Sequence, residues 1–202
     1  MIEQLSFTRG ETIFSKLRPE VFNKYFPSGQ IEKINVDKIP PVANDLFEYQ
    51  NKQSLILPTD YELSDSYLHI HHSSYESTYV SHQTISQRIG TPVMTTNLID
   101  LDKFGNEQGY GQITFYPTDK NPYFANKPFG SSLLTEINYR KKGLGQRRML
   151  MMNALSIMLY DLPLYSEIVT PQAERILEKM LNESMVDKYV EPGRKDRYIF
   201  KR

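Results

Sequence analysis

Between Leu133 and Arg148 the chain runs from an apolar and β-branched stretch, Leu133-Leu134-Thr135-Glu136-Ile137, through a basic glycine turn, Arg140-Lys141-Lys142-Gly143-Leu144-Gly145, into a helix start at Gln146-Arg147-Arg148. A strand that turns this tightly into a helix leaves the first-turn N–H groups without intrahelical partners. The helix dipole adds roughly half a positive charge at the same end. Gly143 and Gly145 lack a Cβ, which permits the turn and lets an anion come close to the amides. Arg140, Lys141, Lys142, Arg147 and Arg148 add positive charge, so the stretch predicts a site for a phosphate or pyrophosphate. It is not a P-loop, since no Gly-x-x-x-x-Gly-Lys-[Ser/Thr] occurs. It also lacks the third glycine and the later carboxylate of a dinucleotide fingerprint.

The flanking pattern extends this reading. A helix is predicted from Gly143 to about Tyr160, with Leu144, Met151, Leu155, Met158 and Leu159 on or near one face, ended by Pro163. Tyr165 to Val169 reads as a short strand. Thr170 then caps a helix with Pro171 at its first position, and Ala173, Ile176, Leu177, Met180 and Leu181 form its apolar stripe. Val186–Val190 and Arg197–Lys201 read as two strands joined at Pro192-Gly193. Upstream, strands are predicted at Tyr67–His71, Tyr75–Ser81, Val93–Leu101 and Gly109–Tyr116, with a hairpin at Lys103–Glu107. The alternation in Val93–Leu101 predicts a half-buried strand. Thr118–Gly130, with Pro122 and Pro128, reads as an ordered loop. Residues 1–60 are the least legible: a strand over 2–8, a helix over Glu11–Phe26 interrupted at Pro19, and a short helix at Val42–Tyr49.

Composition excludes some chemistry. There are no cysteines, hence no disulfide, thiolate metal site or cysteine nucleophile. Lys+Arg and Asp+Glu are both 24, a balance that speaks against nucleic acid as a partner. From residue 132 onward 13 basic residues face 9 acidic ones, a local surplus suited to a small anion. No stretch approaches the ~20 apolar residues needed to span a bilayer, and no leader pattern opens the chain, so no membrane association and a cytoplasmic location are expected. The length fits one domain over 1–202.

The last third, Ser131 to Arg202, resembles the GCN5-related N-acetyltransferase (GNAT) family of acyl-CoA-dependent acyltransferases. Its pyrophosphate loop, [Gln/Arg]-x-x-Gly-x-[Gly/Ala], is matched by Arg140-Lys141-Lys142-Gly143-Leu144-Gly145. Thr170-Pro171-Gln172-Ala173 and Leu177-Glu178-Lys179 resemble a second cofactor segment. The resemblance implies an α/β fold with a mixed, mostly antiparallel sheet flanked by helices, whose central strands splay apart. It further implies acetyl-CoA, or another acyl-CoA, as co-substrate. The amides of Leu144, Gly145 and Gln146, with Gly143, would hold the pyrophosphate, Arg140, Lys141 and Lys142 would supply charge, and the strand carrying Leu133, Thr135 and Ile137 would pair with the pantetheine arm. The implied activity is acetyl transfer to a primary amine on a small molecule or protein.

Two positions depart from the family. Leu177 stands where its general-acid tyrosine is usual, and Thr170 replaces an asparagine. A catalytically silent CoA- or partner-binding protein is therefore an alternative, and a phage-type nucleic-acid base-modifying acyltransferase a weaker one. Tyr165, Tyr116, Tyr139 and Tyr160 are substitute acids to consider. His69 and His71 share a strand face, and with Glu76 they match a fragment of a cupin metal motif whose flanking glycines are missing. No metal is expected, and one histidine of this region, or Glu76, is a candidate general base. Oligomeric state stays open, a homodimer being one option.

Overall fold

The computed structural model describes residues 30–54, 61–73, 76–87, 93–117, 125–136, 143–167, 170–190 and 196–202, with Glu20, Asn23 and Asn138. The strand expected over 2–8 and nearly all of the helix expected over Glu11–Phe26 lie outside the described residues. Among the described residues nine strands form one sheet in the order β1-β2-β3-β4-β5-β6-β7-β9-β8. They are β1 Gln30–Ile34, β2 Tyr61–Ser73, β3 Glu76–Gln87, β4 Val93–Asp102, β5 Glu107–Phe115, β6 Pro128–Thr135, β7 Tyr165–Glu167, β8 Val186–Tyr189 and β9 Arg197–Phe200. The helices are α1 Pro41–Ser54, α2 Leu144–Tyr160 and α3 Pro171–Asn182. Every strand pair is antiparallel except β6–β7, which is parallel and bridged by α2. The fold is thus α/β with a mixed, mostly antiparallel sheet, as expected.

The two faces of the sheet carry separate cores. Leu68, Ile70, Val80, Met94, Leu98 and Ile113 pack with Met151, Met152, Leu155 and Leu177 on the face of α2 and α3. Ile99 and Leu101 pack with Ala43 and Phe47 of α1 on the other. Because β4 lies mid-sheet, Met94 to Leu101 are all buried, and its alternation marks two covered faces rather than one wet and one dry. Helix α2 is likewise wider in its burial than its predicted stripe: nearly all of Met151 to Tyr160 is buried. Helix α3 begins as predicted, with Thr170 Oγ1 accepting from Ala173 N at 3.1 Å and Pro171 at the first turn.

Strand β6 decides the architecture. Gln112 pairs with Ser132 and Ile113 with Gly130, so Ser131 has no counterpart on β5 and forms a β-bulge. The parallel pairing with β7 consists of Phe129↔Tyr165 and Gly130↔Ser166, and it ends at the bulge while β6 continues to Thr135. A bulge bends and twists its strand, and the described pairs between β6 and β7 stop before it. Two expectations are corrected at this point. Pro128–Gly130 belongs to the strand rather than to a loop, with Pro128 at the first strand position, where proline is tolerated. The strand expected over Leu133–Tyr139 ends at Thr135. The edge strand β1 was not foreseen, since Glu32 and Lys33 give it the polar character of an edge.

Candidate functional site

The anion cradle predicted from the glycine turn sits where α2 begins. Gly143 is its N-cap, with φ 76° and ψ 0°, and no side chain caps the helix. This left-handed conformation favours glycine. A Cβ on Gly145 would lie 2.9 Å from Ile176 Cδ1 and 3.8 Å from Thr135 Oγ1, so the missing side chain lets α2 start close against α3 and the end of β6. Leu144 is buried, anchoring the turn in the core. The first turn contains no acidic residue, which leaves its dipole unopposed. Gln146 points toward α3: Lys179 Nζ donates to its Oε1 at 2.9 Å, and its Nε2 donates to Glu183 Oε2 at 2.8 Å. Arg140, Lys141, Lys142 and Ile137 lie outside the described residues.

Arg147 and Arg148 do not face the turn as free cations. Arg147 is ion-paired with Glu76 of β3. Arg148, with no exposed surface, donates from Nε to Asp100 Oδ2 at 2.7 Å and from Nη1 to Thr135 Oγ1 at 3.0 Å. Thr78 Oγ1 donates to the other Asp100 oxygen at 2.5 Å, so His72 Nε2, 2.7 Å from Thr78 Oγ1, is the donor there. Burial, followed by the Arg147 charge, holds the His72 pKa at about 4. These contacts tie β2, β3, β4 and β6 to the first turn of α2. The Thr135 side chain, expected beside a pantetheine arm, is engaged in this network, while Leu133 packs against the core. Asp100, flanked by the apolar Ile99 and Leu101 in β4, carries the signal for this network in the sequence.

On the face of α1, two cross-strand rows run toward the end of the sheet where β6 pairs with β7. Ser81 pairs with Asn97, Asn97 with Gln112 and Gln112 with Ser132. Gln83 pairs with Thr95, Thr95 with Thr114, Thr114 with Phe129, and Phe129 with Tyr165. Tyr165 stands on the first of the two described β6–β7 pairs, its ring 5.8 Å from that of Phe129, and Tyr139 lies outside the described residues. Arg197 lies 5.4 Å above the Phe129 ring. Tyr160 is instead deep in the other core, where Thr96 Oγ1 lies 2.8 Å from its hydroxyl and 2.8 Å from His82 Nδ1. Burial raises the Tyr160 pKa and lowers that of His82 to about 3.

The histidine cluster is real but differently composed. His69 Nδ1 lies 3.0 Å from Glu32 Oε1, and His71 Nε2 lies 3.7 Å from the same atom. His69 stacks on Tyr79 with ring centroids 4.4 Å apart. Glu76, expected with them, is held by Arg147 instead, and Glu32 takes its place. The hydrogen bond from His69 lowers the Glu32 pKa, while burial lowers that of His69. His69 and His71 lie on β2, four strands from β6, or about 19 Å across a sheet with ~4.8 Å spacing. Proton transfer needs hydrogen-bond reach of about 3 Å, so these histidines are remote from β6 and the start of α2. Leu177, at the position of the usual tyrosine, is fully buried in the core.

In structural terms the arrangement is a bulged strand with a parallel neighbour, whose far end meets a glycine-turned helix N-terminus. The sequence matches no protein-family model and no curated protein. Among solved structures, the crystal structure of nourseothricin acetyltransferase aligns over 85% of this chain and 96% of its own, at 8% identity and a TM-score of 0.37. Similarity at that level adds nothing to what the sheet order and the site say by themselves. No described helix is long and apolar enough to cross a membrane.

Proposed function

We propose that the protein is an acyl-CoA-dependent N-acyltransferase, transferring an acetyl group from acetyl-CoA to a primary amine. One observation carries the reading: the N-terminus of α2, turned by Gly143 and packed closely through Gly145, lies against the end of β6, the strand bulged at Ser131 beyond its pairs with β7. A diphosphate at the Leu144, Gly145 and Gln146 amides gains both orphan donors and the dipole. The stretch of β6 beyond those pairs offers backbone groups to an extended arm.

Bound acyl-CoA supplies an electrophilic thioester carbonyl. The acceptor nitrogen bonds to that carbon, the C–S bond breaks, the nitrogen gives up a proton and the departing sulfur takes one. Tyr165, paired with Phe129 across β6 and β7, is the proton donor assigned to the sulfur. His69, His71 and Glu76 have no part in this scheme. Positioning of the amine supplies much of the rate. In purified protein, millimolar CoA or acetyl-CoA is expected to raise the unfolding temperature, because ligand far above its dissociation constant stabilises the folded state. No shift at that concentration removes the proposal.

A second reading, a CoA-binding protein without turnover, draws on Leu177, whose complete burial leaves the usual acid position inert. Thermal protection by CoA without thiol release across a broad amine panel supports it. Turnover of any natural amine sinks it.

A further inference from the structure

Glu32, His69 and His71 bring three ligand atoms together where the edge strand β1 meets β2. Glu32 is the register partner of His69, and His71 follows His69 by two residues, which returns its side chain to the same face of the sheet. One carboxylate oxygen, Glu32 Oε1, lies 3.0 Å from His69 Nδ1 and 3.7 Å from His71 Nε2. One donor atom from each of the three residues lies within 4.8 Å of the other two. Among the described residues no other group of three histidine or carboxylate side chains converges in this way.

These separations suit a metal ion. Zinc bonds of about 2.0–2.2 Å to imidazole nitrogen and carboxylate oxygen set neighbouring tetrahedral ligands about 3.3–3.6 Å apart. The observed 3.0 and 3.7 Å bracket that edge. A hydrogen bond accounts for the shorter contact only, because 3.7 Å is beyond hydrogen-bond range. An ion also has a way in: the Glu32 side chain is 58% exposed and that of His71 45%, so solvent reaches the group and can fill a fourth position. His69 is the fixed member, buried and stacked on Tyr79 with ring centroids 4.4 Å apart, and the two exposed side chains can adjust to it. Two imidazoles with one carboxylate suit zinc and its first-row neighbours, whereas magnesium and calcium seek six or more oxygens. His69 Nε2 is buried without a hydrogen-bond partner among the described residues. An imidazole lacking such outer support binds metal about 10–100-fold more weakly, so the site should respond to added metal rather than retain it through purification.

We propose that Glu32, His69 and His71 form a zinc-type metal site that clasps the edge strand β1 to β2. The site is independent of the acyltransfer reading. Strand β2 is four strands from β6, so the ion fixes the edge of the sheet and takes no part in chemistry at the start of α2.

Zinc chloride added to the full, untagged chain after dialysis against a chelator is expected to bind by calorimetry as a single ion per chain. It should also raise the unfolding temperature, because a ligand held by the folded state stabilises it. Magnesium chloride should do neither. Glu32→Gln and His71→Ala alter exposed side chains and should each weaken zinc binding about ten-fold or more, a ligand counting for at least as much as the outer partners of a metal site. Where either variant fails to fold, His71→Gln takes its place. Absence of zinc binding, an equal response to magnesium, or undiminished zinc affinity in the folded variants overturns the proposal.

Discussion

Arg148 Nε donates to Asp100 Oδ2 at 2.7 Å, and neither side chain is more than 2% exposed. This pair fastens the first turn of α2 to the middle of the sheet, and through Thr135 to the end of β6. Removing one partner strands a buried charge, which costs about 3–5 kcal/mol. Asp100→Ala is therefore expected to lower unfolding free energy by that order, measured by urea denaturation. Arg148→Met in the same background should cost far less than the sum of the two single changes. Additive losses would show that the pair is not an energetic unit.

The two glycines of the turn fail differently when substituted. At Gly143 an added Cβ meets nothing within 4 Å, but φ is +76°, so Gly143→Ala costs about 1–2 kcal/mol through the backbone. At Gly145 the Cβ meets Ile176 Cδ1, and the helix start must shift or Ile176 must rotate. Gly145→Ala should therefore weaken CoA binding, and Ile176→Val should restore part of the loss by removing that terminal methyl. CoA titration of the three variants checks this; no recovery in the double variant refutes the packing explanation.

Tyr165→Phe keeps the ring beside Phe129 and deletes the hydroxyl. Loss of a proton-transfer group lowers turnover by about 100-fold or more, so thiol release should fall on that scale with KM for CoA and thermal stability nearly unchanged. His69→Ala should leave turnover within about two-fold, since β2 is four strands from β6. The reverse pattern would move the chemistry to β2.

Acid should destabilise the protein through His82 and His72. Their folded pKa values, about 3 and about 4, are depressed by burial from 6.5. Between those values and 6.5 the unfolded chain binds more protons, so stability is fullest above pH 6.5 and falls as pH drops toward 4. Each unit of pKa difference corresponds to about 1.4 kcal/mol at full effect. His82→Gln should flatten the slope of unfolding free energy between pH 6.5 and 4. An unchanged slope would show that neither burial nor His82 governs it.

The legible parts were those set by local chemistry. Gly143, Thr170 and Pro171 announced two helix starts because left-handed backbone, a hydroxyl cap and a proline at the first turn each have few alternatives. Strands β2 to β5 were recognisable from β-branched runs, though their ends were not. The polar edge strand β1 was missed because an edge need bury little. The Ser131 bulge was illegible, because a bulge is a mismatch between two strands and neither strand carries it alone.

By itself, then, the sequence determined that an anion-ready helix N-terminus follows a strand, since Gly143 acts on its own backbone. Tertiary structure decided which charges remain there: Arg147 and Arg148, adjacent in sequence to the turn, are neutralised by Glu76 and Asp100 from distant strands. It also separated His69 and His71 from Glu76 and gave them Glu32. Coulombic and hydrogen-bond partners are chosen by proximity in space, and strand pairing, which the sequence does not spell out, sets that proximity.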